Sequence, residues 1–177
     1  IAVKQLDEFF RENWRGPAPT AKYLCLNSRP KFFFRPNDLK EYAAIIDERF
    51  PSSRDTIICG ANAVLENRFD ILNFEQKFEN DRIEWCQDFR SGIKWPLIPS
   101  SSIDIYDHDG LSDILIPWHL SRLPFFADLG RAFWLTSESK YVHKFKYLVS
   151  KWESDNPYGM GINWISGKEI AIRTINL

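Results

Sequence analysis

The segment NPYGMGINWISGKEIAIRTINL, residues 156–177, carries the strongest signal for the fold of this chain. Ser166 is followed three residues later by Glu169, which is the pattern of a capping box at the start of a helix. The residues after it are mostly apolar, and no Gly, Pro or Asn follows Leu177 as a stop signal. We therefore expect a helix that begins after Ser166 and is cut off within its pattern. Its apolar positions are Ile170, Ala171, Ile172, Ile175 and Leu177.

Length and composition are those of one globular domain, with 177 residues, 44% of them hydrophobic and 27% charged. The formal net charge of −1 gives no basic surface for phosphate backbones or anionic lipids, so we predict neither nucleic acid nor membrane as a partner. No run reaches the roughly 18 apolar residues that a membrane-spanning helix needs. Three widely separated cysteines indicate buried thiols rather than a disulfide framework or a zinc site: Cys25, Cys59 and Cys86.

The first half of the chain predicts helices and one β-hairpin. Apolar residues at helical spacing predict helices over 3–14, from Asp38 to Phe50, and over 53–66, with Pro51 ending the second. RFDILNFE and RIEWCQD, separated by the polar KFEND, predict two short strands paired as a hairpin near residues 68–88. From Trp95 to Ser112 the serines, prolines and the acidic DHDG indicate a loop.

The second half of the chain predicts helical hairpins. Apolar spacing predicts a helix from Trp118 to Phe133 that Pro124 kinks or restarts, and another from about Glu138 to Ser154. The short connection between them, TSES, indicates antiparallel neighbours that pack together. With the helix after Ser166, the pattern is compatible with a bundle, a solenoid or a closed ring of hairpins.

Several segments together resemble the N-terminal domain of the heparinase II/III-like polysaccharide lyases, over roughly residues 60–177. They are RFDILNF, IEWCQDFRSGIKWP, DILIPWHLSRLPFFADLGRAF and ESKYVHKFKYLVSKWESD followed by the segment quoted first. The most specific part is N-P-x(5)-N-W-x-S-x-x-E-x-x-x-R, preceded by Trp-x-x-Ser-Arg from Trp118 to Arg122. The longer motif comprises Asn156, Pro157, Asn163, Trp164, Ser166, Glu169 and Arg173.

This resemblance implies a mainly α fold, an incomplete (α/α) toroid of helical hairpins with one short β-hairpin. We expect leading helices over 1–66, the β-hairpin over 67–95, a linker over 96–112 and helical hairpins over 113–177. The expected single N-terminal toroid fragment is then truncated before the rest of the toroid and a β-sheet domain.

The resemblance also implies cleavage of uronic-acid-containing polysaccharides by β-elimination. The expected partner is an acidic polysaccharide such as a glycosaminoglycan, and the expected location is the periplasm or outside the cell. Because the family's catalytic Asn, His and Tyr lie downstream of the motif, we assign no catalytic residue here and expect the fragment alone to be inactive. The histidines at 108, 119 and 143 are scattered.

We predict no cofactor and no metal. An acidic loop suggests calcium, but it lacks the D-x-D-x-D-G spacing and the terminal Glu of a calcium loop. A solvated turn is therefore the expected structure for Asp104, Asp107, Asp109, Gly110 and Asp113.

Substrate binding is expected from guanidinium groups, which bind carboxylate or sulfate, and from flat rings, which stack on pyranoses. The alternatives are structural: Glu169 and Arg173 lie four residues apart and could pair with each other, and Trp118 and His119 could belong to the core. The predicted substrate-binding residues are Asn163, Trp164, Arg122, Arg173, Trp118 and His119.

One departure from the family pattern bears on the substrate. Where many members have D-I-K-x-x-W-E-x-x-R, this chain has Leu115 for the Lys and His119 for the Glu. The lost cation favours a less anionic polysaccharide, or a role in surface-polysaccharide assembly or turnover. Two other hypotheses stay open: a toroid glycoside hydrolase, which needs two carboxylates roughly 5–9.5 Å apart, and a non-catalytic carbohydrate-binding or scaffold domain.

Overall fold

A computed structural model describes residues 38–106 and 111–177, and Leu39–Leu177 form one compact unit. Within these residues the protein is mainly helical with one small antiparallel sheet, as the sequence predicts. The predicted helix over 3–14, Cys25, and residues 107–110 of the acidic loop lie outside the described residues. The elements in chain order are α1 (Leu39–Arg49), α2 (Pro51–Leu65), β1 (Arg68–Ile71), β2 (Phe74–Lys77), α3 (Leu115–Ser121), α4 (Phe126–Thr136), α5 (Ser139–Asp155) and α6 (Gly167–Asn176).

Proline residues set two of the helix boundaries. Helix α1 ends at Arg49 and α2 begins at Pro51, where the missing N–H of proline leaves no hydrogen bond unmade. Helix α3 ends at Ser121 and α4 begins at Phe126, so the chain restarts its helix after Pro124. Both boundaries confirm the sequence predictions.

The β-hairpin is shorter than predicted. Ile71 lies opposite Phe74, so β1, the turn and the first half of β2 fall within the segment predicted as the first strand alone. Leu72 and Asn73 form the turn with φ values of 54° and 65°, the left-handed conformation that a two-residue hairpin turn requires. The predicted second strand over 82–88 is wrong, because this segment makes only a single β-bridge, between Gln87 and Lys94.

The helices α4 and α5 pack against each other as the predicted antiparallel neighbours. The rings of Phe126 and Phe145 meet edge to face with centroids 4.7 Å apart. Around them lies the main core, formed from α2, β1, α4, α5 and the segment between α3 and α4: Ala61, Val64, Phe69, Ile71, Leu123, Phe125, Phe126, Leu129 and Leu148. A second, smaller cluster joins Trp95, Trp118 and Ile162 beneath a 3-10 helix over Ile162–Trp164. It fixes the position of the motif that the sequence singled out.

Helix α6 begins after Ser166, as predicted, but without the predicted capping box. Ser166 makes no side-chain capping hydrogen bond, and the Glu169 carboxylate instead accepts hydrogen bonds from Arg122. The helix buries Glu169 and Arg173, whereas Lys168 is exposed, Ile175 is 83% exposed and Leu177, just after the helix, is 57% exposed. Two charged residues of this helix are thus more buried than its apolar residues.

The cysteines differ from the prediction. Cys59 is exposed on α2, so its predicted burial is wrong, whereas Cys86 is partly buried. Over 38–106 and 111–177, no helix combines the length and the apolar character that crossing a membrane would take.

Candidate functional site

Arg122 and Glu169 form a two-point ion pair between the end of α3 and the first turn of α6. Arg122 Nε lies 2.5 Å from Glu169 Oε2, and Nη2 lies 2.7 Å from Oε1. These hydrogen bonds lower the pKa of Glu169 against the opposing effect of burial. The carboxylate is 1% exposed and the arginine side chain 15% exposed, so one edge of the pair reaches solvent. Such a paired fork is the geometry that arginine and carboxylate favour.

His119 lies beside this pair, one helical turn before Arg122. Its Nε2 is 2.6 Å from Arg122 Nη1. Because a guanidinium can only donate, Nε2 accepts the hydrogen bond and the neutral imidazole carries its proton on Nδ1. Burial and the charge of Arg122 lower the pKa of His119, while Glu169 opposes the shift. The ring is therefore held in its neutral form.

Arg173 is buried and joins three parts of the fold. Its Nε donates to the carbonyl of Ser121 at 2.8 Å, and its Nη2 donates to the carbonyl of Asn163 at 2.9 Å. The guanidinium also lies over the ring of Trp152, 4.2 Å from its centroid. Burial lowers the pKa of Arg173 to about 10, which leaves it charged at neutral pH. The alternative that Arg173 pairs with Glu169 is wrong, because that carboxylate is held by Arg122.

Asn163 and Asn156, the two asparagines of the motif, bind each other in the interior. Asn163 Nδ2 donates to Asn156 Oδ1 at 2.8 Å and to the carbonyl of Trp85 at 3.3 Å. Asn156 Nδ2 donates to the carbonyl of Trp152 at 2.9 Å. The pair thus ties the 3-10 helix to the end of α5 and to the segment around Trp85.

The loop before the 3-10 helix is shaped by Gly161. Its φ of 76° lies in the left-handed region, and an added Cβ would stand 3.2 Å from Leu97 Cδ1. Its N–H donates to the carbonyl of Ile98 at 2.8 Å. Glycine at this position lets residues 159–161 pair closely with residues 98–100, and the pairing orients the motif residues that follow.

The two motif tryptophans have different surroundings. Trp118 is buried, and its Nε1 donates to the carbonyl of Ile162 at 2.9 Å. Trp164 is half-buried, and its Nε1 donates to the carbonyl of Asn156 at 3.2 Å. Its ring lies 5.0 Å from that of Tyr158, which is 87% exposed. Tyr158 was not predicted as a site residue; an aromatic residue in the NPYGMG turn was the available signal.

Asp88 is a buried polar residue that the sequence prediction also missed. Its carboxylate accepts from the backbone N–H groups of Arg90 and Asp113, both at 2.9 Å, and from the hydroxyl of Ser91 at 2.7 Å. Burial raises the pKa of Asp88, but these hydrogen bonds outweigh it and the net shift is downward. Asp88 ties the loop after residue 88 to the start of α3. The sequence DFRSG carries the signal for such a turn.

The predicted site residues therefore gather around the end of α3, the 3-10 helix and α6. Trp118, Asn163 and Arg173 are buried and satisfy backbone carbonyls. Three others keep some exposure to solvent: Arg122, His119 and Trp164. Among the described residues, no three or more His, Cys, Asp or Glu side chains are grouped so that they could hold a metal ion.

Comparison with known proteins gives one match. The family model described as the heparinase II/III N-terminus matches residues 31–177. No curated protein and no solved structure matches the chain. The matched residues include the α3 segment, the paired asparagines and the whole of α6, so every predicted site residue falls within it. Since the match covers most of the sequence, the chain belongs to the heparinase II/III N-terminus family.

Proposed function

We propose that this chain is the N-terminal helical part of a polysaccharide lyase that cleaves uronic-acid-containing polysaccharides by β-elimination. The observation that carries the proposal is the family match over residues 31–177. In this proposal the helices form part of an (α/α) toroid that the rest of the protein completes, and a β-sheet domain follows. The protein acts in the periplasm or outside the cell, where such polymers occur.

The chain contributes substrate binding rather than proton transfer. β-Elimination next to a uronate needs a neutralised carboxylate, a base, and an acid for the leaving oxygen. Within the described residues, His119 is engaged by Arg122 and His143 lies on α5, a different element. We assign no acid–base role to either histidine and place the catalytic set elsewhere in the protein.

Arg122 has the donors to bind an acidic group of the substrate. A guanidinium carries five N–H donors. Glu169 takes two of them and His119 takes one, which leaves two N–H groups without an acceptor in the described part of the chain. The Arg122 side chain is 15% exposed, so part of it reaches solvent. We therefore assign Arg122, positioned by Glu169 and flanked by His119, to a substrate carboxylate or sulfate.

The other predicted residues have different roles in this proposal. The exposed face of Tyr158 beside Trp164 offers a stacking surface for a sugar ring. Asn163, Arg173 and Trp118 hold the backbone beneath that surface through their buried hydrogen bonds. Their contribution to substrate binding is indirect.

Ultraviolet absorbance tests the proposal, because β-elimination leaves an unsaturated uronate end that absorbs. The full-length protein is incubated with heparin, heparan sulfate and alginate, and we expect absorbance to rise with at least one polymer. Release of reducing ends without absorbance would indicate a glycoside hydrolase. Binding without any product would contradict a lyase.

Carbohydrate binding without catalysis is the second candidate function. Tyr158 favours it, because a ring that is 87% exposed beside a second aromatic ring is typical of a sugar-stacking surface. The same experiment separates the two functions, since a binding domain retains polymer and yields neither unsaturated nor reducing ends.

A further inference from the structure

A cavity of about 650 Å³ lies apart from the predicted site, between residues 82–97 and the C-terminal end of α5. Its size falls within the range of small-molecule sites in proteins. None of the six predicted substrate-binding residues lines it. The Asn163 side chain approaches the same wall from the interior, where it donates to the carbonyl of Trp85.

The charged residues of the cavity are three cations and two carboxylates. Lys94 Nζ lies 2.5 Å from Glu84 Oε2, and Lys151 Nζ lies 2.7 Å from Asp155 Oδ2. The third cation is Arg82, which is exposed and makes no ion pair with any residue in the described ranges. Within residues 38–106 and 111–177, the cavity therefore carries one positive charge that no carboxylate pairs with.

The two ion pairs also provide hydrogen-bonding groups of both kinds. Asp155 Oδ2 accepts from Trp85 Nε1 at 3.2 Å and Oδ1 accepts from Lys151 Nζ at 2.9 Å, so the carboxylate is fixed from two sides. Lys94 and Glu84 lie on opposite sides of the turn that the Gln87–Lys94 bridge closes. Ammonium donors and carboxylate acceptors placed around a cavity match the hydroxyl groups of a sugar, each of which can donate and accept.

Apolar surface completes the lining. Trp85 and Trp95 are buried in the wall, while Leu97 is half exposed at the rim. The backbone N–H of Trp95 donates to the carbonyl of Cys86 at 2.9 Å, which holds the two sides of the wall together. The wall of the cavity therefore combines apolar surface with fixed polar groups, and both occur in small-molecule sites.

We propose that this cavity binds a sugar unit that bears one acidic group, a carboxylate or a sulfate. Arg82 binds the acidic group, and the Lys94–Glu84 and Lys151–Asp155 pairs bind hydroxyl groups. The choice of a sugar rests on the proposed function, whereas the choice of a single negative charge rests on the charges of the cavity. The site is a second saccharide-binding position, separate from Arg122.

Isothermal titration calorimetry on the full-length protein tests this inference. The probes are a uronate-containing disaccharide, its neutral counterpart, a monosulfated disaccharide and inorganic sulfate. We expect Arg82→Ala to weaken binding of the two acidic disaccharides by about tenfold or more, the effect of losing one charge-assisted hydrogen bond. Binding of the neutral disaccharide should stay unchanged.

Two further variants make the result specific. Arg82→Glu reverses the charge and should abolish binding of the acidic disaccharides while circular dichroism shows a folded protein. Arg49→Ala removes an exposed arginine at the end of α1, outside the cavity, and should leave all affinities unchanged. Equal binding of acidic and neutral disaccharides, or no effect of either Arg82 variant, would overturn the inference.

The remaining outcomes separate this inference from the proposed function. Inorganic sulfate that binds as tightly as the sulfated disaccharide would show an anion site without sugar recognition and would also overturn it. If the Arg82 variants lose binding but the full-length protein forms no unsaturated product, the inference that the cavity binds an acidic sugar holds and the lyase proposal fails. If the full-length protein forms unsaturated product but neither Arg82 variant changes the disaccharide affinities, the lyase proposal holds and the inference about the cavity fails.

Discussion

Arg122 and Glu169 stand 47 residues apart in the sequence, yet their side chains meet at two points, 2.5 Å and 2.7 Å apart. The ion pair joins the end of α3 to the start of α6. Because the Glu169 carboxylate is buried, its charge depends mainly on Arg122 for compensation, with the exposed Lys168 as a second cation 3.5 Å away. The pair thus serves the stability of the fold and orients the arginine that we assign to the substrate.

Replacing Arg122 with Ala should destabilise the protein strongly. The change leaves the buried carboxylate with only the exposed Lys168 nearby, which costs about 3 kcal/mol in the free energy of unfolding. Adding Glu169→Gln to Arg122→Ala should recover part of the loss, because the unpaired charge is removed. Urea denaturation of the single and double variants measures both effects. Arg54→Ala, which breaks the exposed pair with Asp47, is the control and should cost less than about 1 kcal/mol.

Arg173→Ala should lower stability by about 3 kcal/mol, because it leaves the buried carbonyls of Ser121 and Asn163 without a donor. Arg173→Lys should be intermediate, since one ammonium group cannot reproduce the planar fork. Thermal denaturation followed by circular dichroism ranks the unchanged protein, Arg173→Lys and Arg173→Ala by melting temperature. An unchanged melting temperature together with a lower kcat/KM would instead place Arg173 in contact with substrate.

Acid should destabilise the fold through Asp88 and Glu169, whose pKa values are both lowered. A carboxyl group with a lowered pKa in the folded state binds fewer protons there than in the unfolded chain. Stability is therefore full above the ordinary values of 3.8 and 4.5 and decreases as the pH falls below them. Urea midpoints measured between pH 7 and pH 3 test the direction. Asp88→Asn should start from a lower midpoint and show a shallower decrease.

Tyr158→Ala should weaken polysaccharide binding with little effect on stability. The side chain is 87% exposed, so the fold loses little, whereas a stacked sugar loses a contact comparable to an aromatic pair, roughly three- to tenfold in affinity. Tyr106→Ala is a matched control, because Tyr106 is 85% exposed in the loop before α3. Affinity electrophoresis in gels that contain the polymer compares the two variants. Equal retardation of both would contradict a stacking role for Tyr158.

The sequence predicts much of the secondary structure because local signals determine it. The proline residues at 51 and 124 act on their own neighbours, and the apolar spacing of α5 survives as a buried stripe that includes Tyr141, Leu148 and Trp152. The hairpin turn at Leu72 and Asn73 was missed because its sequence lacks the glycine that usually marks such turns. The spacing of apolar residues does not reveal a turn when residues other than glycine, here Leu72 and Asn73, adopt the left-handed conformation.

The sequence predicted that the motif residues lie near one another, but it did not predict their contacts. Motif spacing placed Asn163, Arg173 and Glu169 together, since they lie on adjoining elements. The partner of Glu169 could not be predicted, because a residue four positions away and one on another helix are equally able to neutralise a carboxylate. In the folded chain, α3 packs so that Arg122 is the residue that binds Glu169. Arg173 is buried in the same region and binds backbone carbonyls instead.

Helix α6 therefore has an unusual pattern of mutational tolerance. In most helices conservative changes at charged positions are harmless and polar changes at apolar positions are harmful. In α6 the charged positions 169 and 173 are the ones that the interior depends on, while Ile175 and Leu177 face outward. Ranking variants of this helix by hydrophobicity alone would therefore give the wrong order of stability. Even Glu169→Asp should be harmful, because the shorter side chain cannot keep both hydrogen bonds to Arg122.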